Sequence, residues 1–170
     1  MKMKKVAVLM GSQSDLAVLQ PGIALLKEFQ VPFEVHVLSA HRTPHALHKF
    51  VLQAPQNDVG VFIAAAGKSA HLAGVIASLS ILPVIALPIL TQDLGGLDSL
   101  LSSVQMPSGV PVACVGINAA QNAALLALEI LALYEVALAE KLQQARHDNE
   151  AKILQADRAL SSQFHKEPHA

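Results

Sequence analysis

The stretch Phe33-Glu34-Val35-His36-Val37-Leu38-Ser39-Ala40-His41-Arg42-Thr43-Pro44 changes its pattern halfway along. Its first half alternates apolar and polar residues, the period of a β-strand. Its end, Thr43-Pro44, is the pair expected at a helix start, an N-cap followed by proline in the first helical position. A strand that feeds a helix across a short loop is the repeating unit of a parallel sheet, and in open sheets of that kind ligands bind beyond the carboxyl ends of the strands. His41 and Arg42 stand side by side in this loop. An imidazole can move protons near neutrality, and a guanidinium stays charged and grips a phosphate or carboxylate through paired hydrogen bonds. The plainer reading is a surface loop whose polar residues are idle.

The same unit recurs on both sides. Lys4-Lys5-Val6-Ala7-Val8-Leu9-Met10 is a continuous apolar run, as in a strand buried on both faces. It ends at Gly11-Ser12-Gln13-Ser14-Asp15, and Leu16, Leu19, Ile23, Leu26 and Phe29 then recur at helical spacing. That loop offers hydroxyls, a glycine and free N–H groups of a helix start, all suited to a phosphate. Asp15 would repel a phosphate and fits better as a cap or as an acceptor for sugar hydroxyls. Val59 to Ala64 reads as a third strand, feeding the small-residue loop Ala65-Ala66-Gly67-Lys68-Ser69-Ala70-His71-Leu72-Ala73-Gly74 and a helix to about Ser80. Gly67-Lys68-Ser69 looks like the end of a P-loop, but Phe62 stands where that motif needs glycine. His71 is either a helix-start histidine or a site residue beside small residues that let a ligand approach.

Leu82 to Pro88 predicts a fourth strand, residues 88–96 a candidate lid hinged at Gly95-Gly96, and Leu97 to Val104 a short helix. Val112 to Gly116 predicts the fifth strand, with Cys114 as a small core residue. From Ala119 to about Arg146 one long helix is expected, with Leu125, Leu126, Leu128, Ile130, Leu131, Leu133, Val136 and Leu138 spread around it. A helix apolar all round needs cover on every side, so its outer face is expected at a subunit interface. The expected organisation is one α/β domain over 1–146 and a helical tail over 147–170 that docks on a neighbouring subunit and frays by Pro168.

Composition bounds the function. The 170 residues are 52% hydrophobic, 15% charged and only 4% aromatic, which demands a core of Ala, Val, Leu and Ile. Twelve basic and thirteen acidic residues leave a net charge of -1, with no general attraction to nucleic acid or an anionic membrane. One cysteine permits no disulfide within the chain. The apolar run after the basic N-terminus is too short for a signal peptide, and acidic residues interrupt the longest apolar region, so a cytoplasmic location is expected. His41, His45 and His48 invite a metal reading, but no carboxylate or cysteine nearby completes a ligand set, and solvated helix histidines fit better.

Five strands alternating with helices predict a three-layer α/β/α sandwich on a parallel five-stranded sheet, flavodoxin-like or Rossmann-like, with long C-terminal helices. In order, Gly11-Ser12-Gln13-Ser14-Asp15, Ser39-Ala40-His41-Arg42-Thr43-Pro44, Ala70-His71-Leu72, Asp98-Ser99-Leu100, Gln105-Met106-Pro107-Ser108-Gly109 and Asn122-Ala123-Ala124-Leu125-Leu126-Ala127 resemble the successive motifs of one family. It is the N5-carboxyaminoimidazole ribonucleotide mutase family, the catalytic subunits of phosphoribosylaminoimidazole carboxylase in purine synthesis. The resemblance covers about Lys5 to Leu142. It implies an isomerase of de novo IMP biosynthesis, without metal or organic cofactor, that moves a carboxylate from an exocyclic nitrogen to a ring carbon of an aminoimidazole ribonucleotide. By position it implies His41 as general acid/base and His71 in a carbon dioxide pocket. Ser12, Asp15 and Arg42 would hold the ribose phosphate end, with Gly11, Ser14, Ser39, Ala40, Gly67, Lys68 and Ser69 completing the substrate site. It implies a homo-octamer.

One departure stands out. Where the mutase branch has a glycine-rich run before Ala-His-Leu-Pro, this chain has Ala65, Lys68 and Ser69, and Ala73 in the proline's place. Lys68-Ser69 is reminiscent of the other branch, which carboxylates the ribonucleotide directly with carbon dioxide. His71 and Arg42-Thr43-Pro44 favour the mutase. A flavodoxin-like nucleotide-binding module would want aromatic residues around a flavin, and the chain has one tyrosine, Tyr134, and no tryptophan.

Overall fold

Each central strand carries apolar side chains on both of its faces, so helices must cover the sheet on both sides. In the computed structural model, which describes residues 3–164, β1 (Lys5–Met10), β2 (Phe33–Val37), β3 (Val59–Ala66), β4 (Val84–Pro88) and β5 (Ala113–Cys114) form one sheet in the order β2-β1-β3-β4-β5. Every pairing is parallel. Alternation along the strands sends Val6, Val8, Met10, Val61, Ile63, Ile85 and Leu87 to one face and Ala7, Leu9, Phe62, Ala64, Val84 and Ala86 to the other. The first set packs against α1 (Leu16–Glu28) and α5 (Ala120–Ala132), through Leu19, Ile23, Leu26, Ala123, Ala127 and Leu128. The second packs against α2 (Pro44–Gln53) and α3 (Leu72–Leu79), through Leu47, Val51, Leu72 and Ile76. This is the expected α/β sandwich, with α4 (Leu97–Val104) against β4 and β5.

Strand order reverses at β1, whose neighbours are β2 on one side and β3 on the other. The connections therefore diverge at the carboxyl ends of β1 and β3 and leave a crevice between them. The loops after β1, β2 and β3 all open into it.

Aliphatic cores of small residues allow close helix packing, and Gly22 shows how close. A Cβ built on Gly22 of α1 would lie 2.5 Å from the carbonyl oxygen of Ala120, the first residue of α5. No side chain fits there.

The structure corrects two sequence readings. The single helix expected from Ala119 to Arg146 is two: α5 stops at Ala132, and α6 (Val136–Phe164) starts after a turn at residues 133–135. The turn tightens through Tyr134 N–H to Leu131 O and Glu135 N–H to Ala132 O, and Glu135 O accepts from the first turn of α6. This brings Leu138 and Leu142 back onto the core, 1% and 7% exposed. Leu131 is also a core residue, 5% exposed, whereas Leu133, Tyr134 and Val136 are 76%, 87% and 75% exposed. No glycine or proline marks the break, so the apolar pattern runs through it unaltered. The second correction is β5, which shortens to two residues at the sheet edge and leaves Cys114 only half-buried; that burial raises its thiol pKa. Thr43 and Pro44 stand at the N-cap and the first position of α2 as expected, although the Thr43 hydroxyl makes no capping bond. From residue 143 to 164, α6 is exposed over its whole length, and the expected fray at Pro168 lies outside the described residues. Among the described residues no helix is long and apolar enough to cross a membrane.

Candidate functional site

After Met10 the chain is held to β3 by Gly11 N–H donating to Ala65 O at 3.1 Å. It then makes one tight turn over Gln13–Asp15, which Ser12 caps: its Oγ accepts from Ser14 N–H at 3.4 Å and lies 2.9 Å from Ser14 Oγ. Ser14 Oγ donates in turn to Asp15 Oδ1 at 3.2 Å. Burial raises the Asp15 pKa. The bond from Ser14, the Ser12 backbone and the Arg42 charge pull the other way without cancelling it.

The loop after β2 is fixed by its own side chains. Thr43 Oγ1 accepts from Ser39 N–H at 2.8 Å and donates to Ser39 O at 3.1 Å, which is why it is not free to cap α2. The buried Ser39 accepts at Oγ from the Arg42 backbone N–H at 3.2 Å and from Arg42 Nε at 3.4 Å. Arg42 Nη2 donates to Gly11 O at 2.5 Å, so the guanidinium ties the second loop to the first. Ser39 and Thr43 thus set the direction of His41 and Arg42 before any ligand arrives.

The loop after β3 brings Gly67, Lys68 and Ser69 to the crevice, and His71 begins α3, its carbonyl accepting from Val75 N–H at 3.0 Å. The structure then does what no spacing could indicate: His71 Nδ1 lies 2.8 Å from His41 Nε2, the two rings edge to face at a centroid separation of 5.0 Å. One of these nitrogens must donate and the other accept. Both readings of His71 therefore hold, since it starts a helix and also faces the site.

A fourth segment closes the crevice. Ile89 N–H donates to Ala66 O at 2.9 Å, Leu90 N–H to Asn118 Oδ1 at 2.9 Å, and Thr91 Oγ1 contacts both Asp98 carboxylate oxygens at 3.2 Å. A Cβ on Gly67 would come within 2.9 Å of Thr91 Cγ2, so glycine is what lets these two loops meet. Beyond that contact Lys68 Nζ donates to Asp93 Oδ2 at 2.5 Å, which raises the lysine pKa. Lys68 itself adopts φ +55°, a left-handed conformation that glycine takes far more readily.

Together the loops enclose a cleft of about 800 Å³. Gly11, Ser12, Ser14, Asp15, Ser39, Ala40, His41, Arg42, Gly67, Lys68, Ser69 and His71, all the residues singled out in the sequence, line it. Ala66, Leu72, Ile89, Leu90 and Thr91 also line it and were not singled out, although the lid reading of 88–96 pointed toward the last three. His45 and His48 are exposed on α2, and among the described residues no group of three His, Cys, Asp or Glu is arranged to hold a metal. The cleft can grip an anion at the Arg42 end and relay a proton through the histidine pair.

A family model for AIR carboxylase matches residues 5–152, a span that contains every one of these loops. The chain belongs to the AIR carboxylase family. Within the AIR carboxylases it is 52% identical over 146 residues to the N5-carboxyaminoimidazole ribonucleotide mutase of Pyrococcus abyssi, covering 86% of this chain and 84% of that one. To the N5-carboxyaminoimidazole ribonucleotide mutase of Methanocaldococcus jannaschii it is 49% identical over 159 residues, covering 94% and 99%. The crystal structure of Treponema denticola PurE matches with a TM-score of 0.85 at 30% identity, over 92% of this chain and 98% of that one. The match to that structure extends the AIR carboxylase likeness from sequence to fold.

Proposed function

We propose that this AIR carboxylase family member is an N5-carboxyaminoimidazole ribonucleotide mutase of purine biosynthesis, converting the N5-carboxylated nucleotide to 4-carboxy-5-aminoimidazole ribonucleotide. The observation that carries the chemistry is the 2.8 Å approach of His41 Nε2 to His71 Nδ1 in a cleft whose far end is built around Arg42. Ser12, Ser14, Asp15 and Arg42, with Gly11, Ser39 and Ala40, hold the ribose phosphate end. His41 gives a proton to the carbamate nitrogen; the C–N bond breaks with its electron pair going to nitrogen, and carbon dioxide leaves. Held in the pocket beside His71, Gly67, Lys68 and Ser69, carbon dioxide is attacked by the ring carbon. His41 takes back the proton that this carbon sheds, so the cycle closes with no net proton change.

Lys68 favours a second reading, direct carboxylation of the non-carboxylated nucleotide, because a cation beside the pocket can gather the carboxylate from either source. The decisive assay supplies either the N5-carboxylated nucleotide, or the non-carboxylated one with bicarbonate at a physiological level. Turnover of the first supports the mutase. Efficient use of the second with none of the first overturns it. A flavin-binding module finds no support in a cleft lined by no Phe, Tyr or Trp.

We also infer a cytoplasmic homo-oligomer, an octamer as the family resemblance implies. What supports assembly is the exposed apolar turn of Leu133, Tyr134 and Val136, together with Ile153, Leu154, Leu160 and Phe164 along the exposed part of α6. On this reading the tail beyond residue 146 docks on a neighbouring subunit.

A further inference from the structure

Among the residues that line the cleft only Arg42 and Lys68 carry a permanent positive charge, and they belong to different loops. Arg42 is committed at one end, donating to Gly11 O and Ser39 Oγ. Lys68 lies three positions before His71 and so belongs to the end where the carboxylate migrates. Its ammonium is paired with Asp93, whose side chain does not line the cleft. Both members of the pair are open to water, at 72% and 60% exposure, so the pair is exchangeable rather than structural. Asp93 lies in the exposed stretch 92–95, between the Thr91–Asp98 contact that closes the loop at its base and the buried Gly96; Gly95, at φ +61°, has no neighbour within 4 Å of its virtual Cβ.

We propose that Asp93 is a specificity-determining residue whose carboxylate stands in for that of the substrate, holding Lys68 at the rim until a carboxylated nucleotide replaces it. The inference rests on the nucleotide reading of the cleft given above. A carboxylated ligand exchanges one carboxylate partner of Lys68 for another. A non-carboxylated ligand offers no such partner and leaves the Lys68–Asp93 pair intact. Asp93 thus competes, from within the chain, only with the ligand group that distinguishes the two nucleotides. It lowers the preference that Lys68 alone would give, and it prevents the carboxylated product from being held too tightly to leave.

The test is calorimetric binding of 5-aminoimidazole ribonucleotide and of 4-carboxy-5-aminoimidazole ribonucleotide to the full chain and four variants, each first checked for a native unfolding transition. Asp93→Asn should tighten the carboxylated nucleotide about threefold to fivefold relative to the non-carboxylated one, the scale of releasing an exposed ion pair. Asp93→Glu should restore the original ratio. Lys68→Ala should weaken the carboxylated nucleotide about tenfold relative to the other, and adding Asp93→Asn to it should then change nothing. If Asp93→Asn shifts both nucleotides equally, or if the double variant still responds to it, Asp93 acts only as a distant charge and the proposal fails. A wild-type chain that binds both nucleotides while Asp93→Asn leaves their ratio unchanged defeats the proposal alone. A wild-type chain that binds neither removes the functional reading as well.

Discussion

His41 Nε2 and His71 Nδ1 share one hydrogen-bond axis of 2.8 Å although the residues are 30 apart in sequence. That axis holds one proton, because two N–H groups cannot face each other across it. His41→Asn keeps a side chain that can hydrogen-bond His71 but cannot shuttle a proton. It should fold and bind nucleotide nearly as the wild type does while kcat falls at least about a hundredfold. Steady-state kinetics decide the matter, and more than about a tenth of the activity remaining would exclude His41 as the obligatory acid/base.

Arg42 makes two directed contacts from one guanidinium, to Gly11 O and to Ser39 Oγ. Arg42→Lys keeps the charge but loses the planar fork, so KM should rise about tenfold with a smaller change in kcat. An unchanged KM would place the phosphate elsewhere.

Asp15 gives a prediction in pH. Burial lifts its carboxyl pKa above the ordinary aspartate value, so the folded chain holds this proton more firmly than the unfolded chain does. The penalty to folding therefore grows as the pH rises from the ordinary aspartate value near about 4 toward the raised folded value, is complete above it, and vanishes only below the ordinary range. Asp15→Asn should raise Tm by roughly 1–2 °C at neutral pH and by nothing below about pH 3, while weakening nucleotide binding. A Tm gain that persists at acid pH would trace to something other than this carboxyl.

Gly22→Ala tests the packing of α1 on α5. The new methyl would meet the Ala120 carbonyl at 2.5 Å, a backbone atom that cannot swing aside. The helices must part, and a loss of about 1–3 kcal/mol in denaturant-derived stability is expected. An unshifted midpoint would mean the two helices slide freely.

Assembly is best probed away from the core. Leu131 and Leu138 are buried within the chain, so charging them would test folding, whereas Tyr134 and Val136 face outward. Tyr134→Glu combined with Val136→Glu should leave the thermal transition cooperative while lowering the sedimentation coefficient. A wild-type chain that sediments as a monomer would end the oligomer reading.

The sheet was legible because β1, β3 and β4 are short apolar runs and β2 alternates apolar with polar residues, each closed by a glycine, proline or polar loop, and parallel pairing follows from strands that alternate with helices. The site was legible loop by loop, because Ser12, His41, Arg42 and His71 are polar residues placed just where strands end. How the loops meet was not. The contact of His41 with His71, and of Lys68 with Asp93, depends on strand order and twist, which no local pattern encodes. Thr43 is the N-cap residue its position suggested, but the partner of its hydroxyl was not legible: a hydroxyl before a helix is equally able to cap it or to lock the preceding loop, and Ser39 decides between them. The break between α5 and α6 was missed because the residues that demand it, Leu138 and Leu142, lie beyond the turn.

The exposed part of α6, residues 143–164, is about 33 Å long at 1.5 Å per residue, roughly twice the radius of gyration expected of the domain it leaves. Little of its own chain packs against it, and most helical stability in proteins comes from packing of a face rather than from intrinsic propensity. In the proposed assembly, where this arm docks on a neighbouring subunit, its helicity is tied to protein concentration, not to the fold of its own domain. Dilution should unwind this arm while the sheet stays intact, so far-UV ellipticity would fall with concentration before any change in the environment of the buried core.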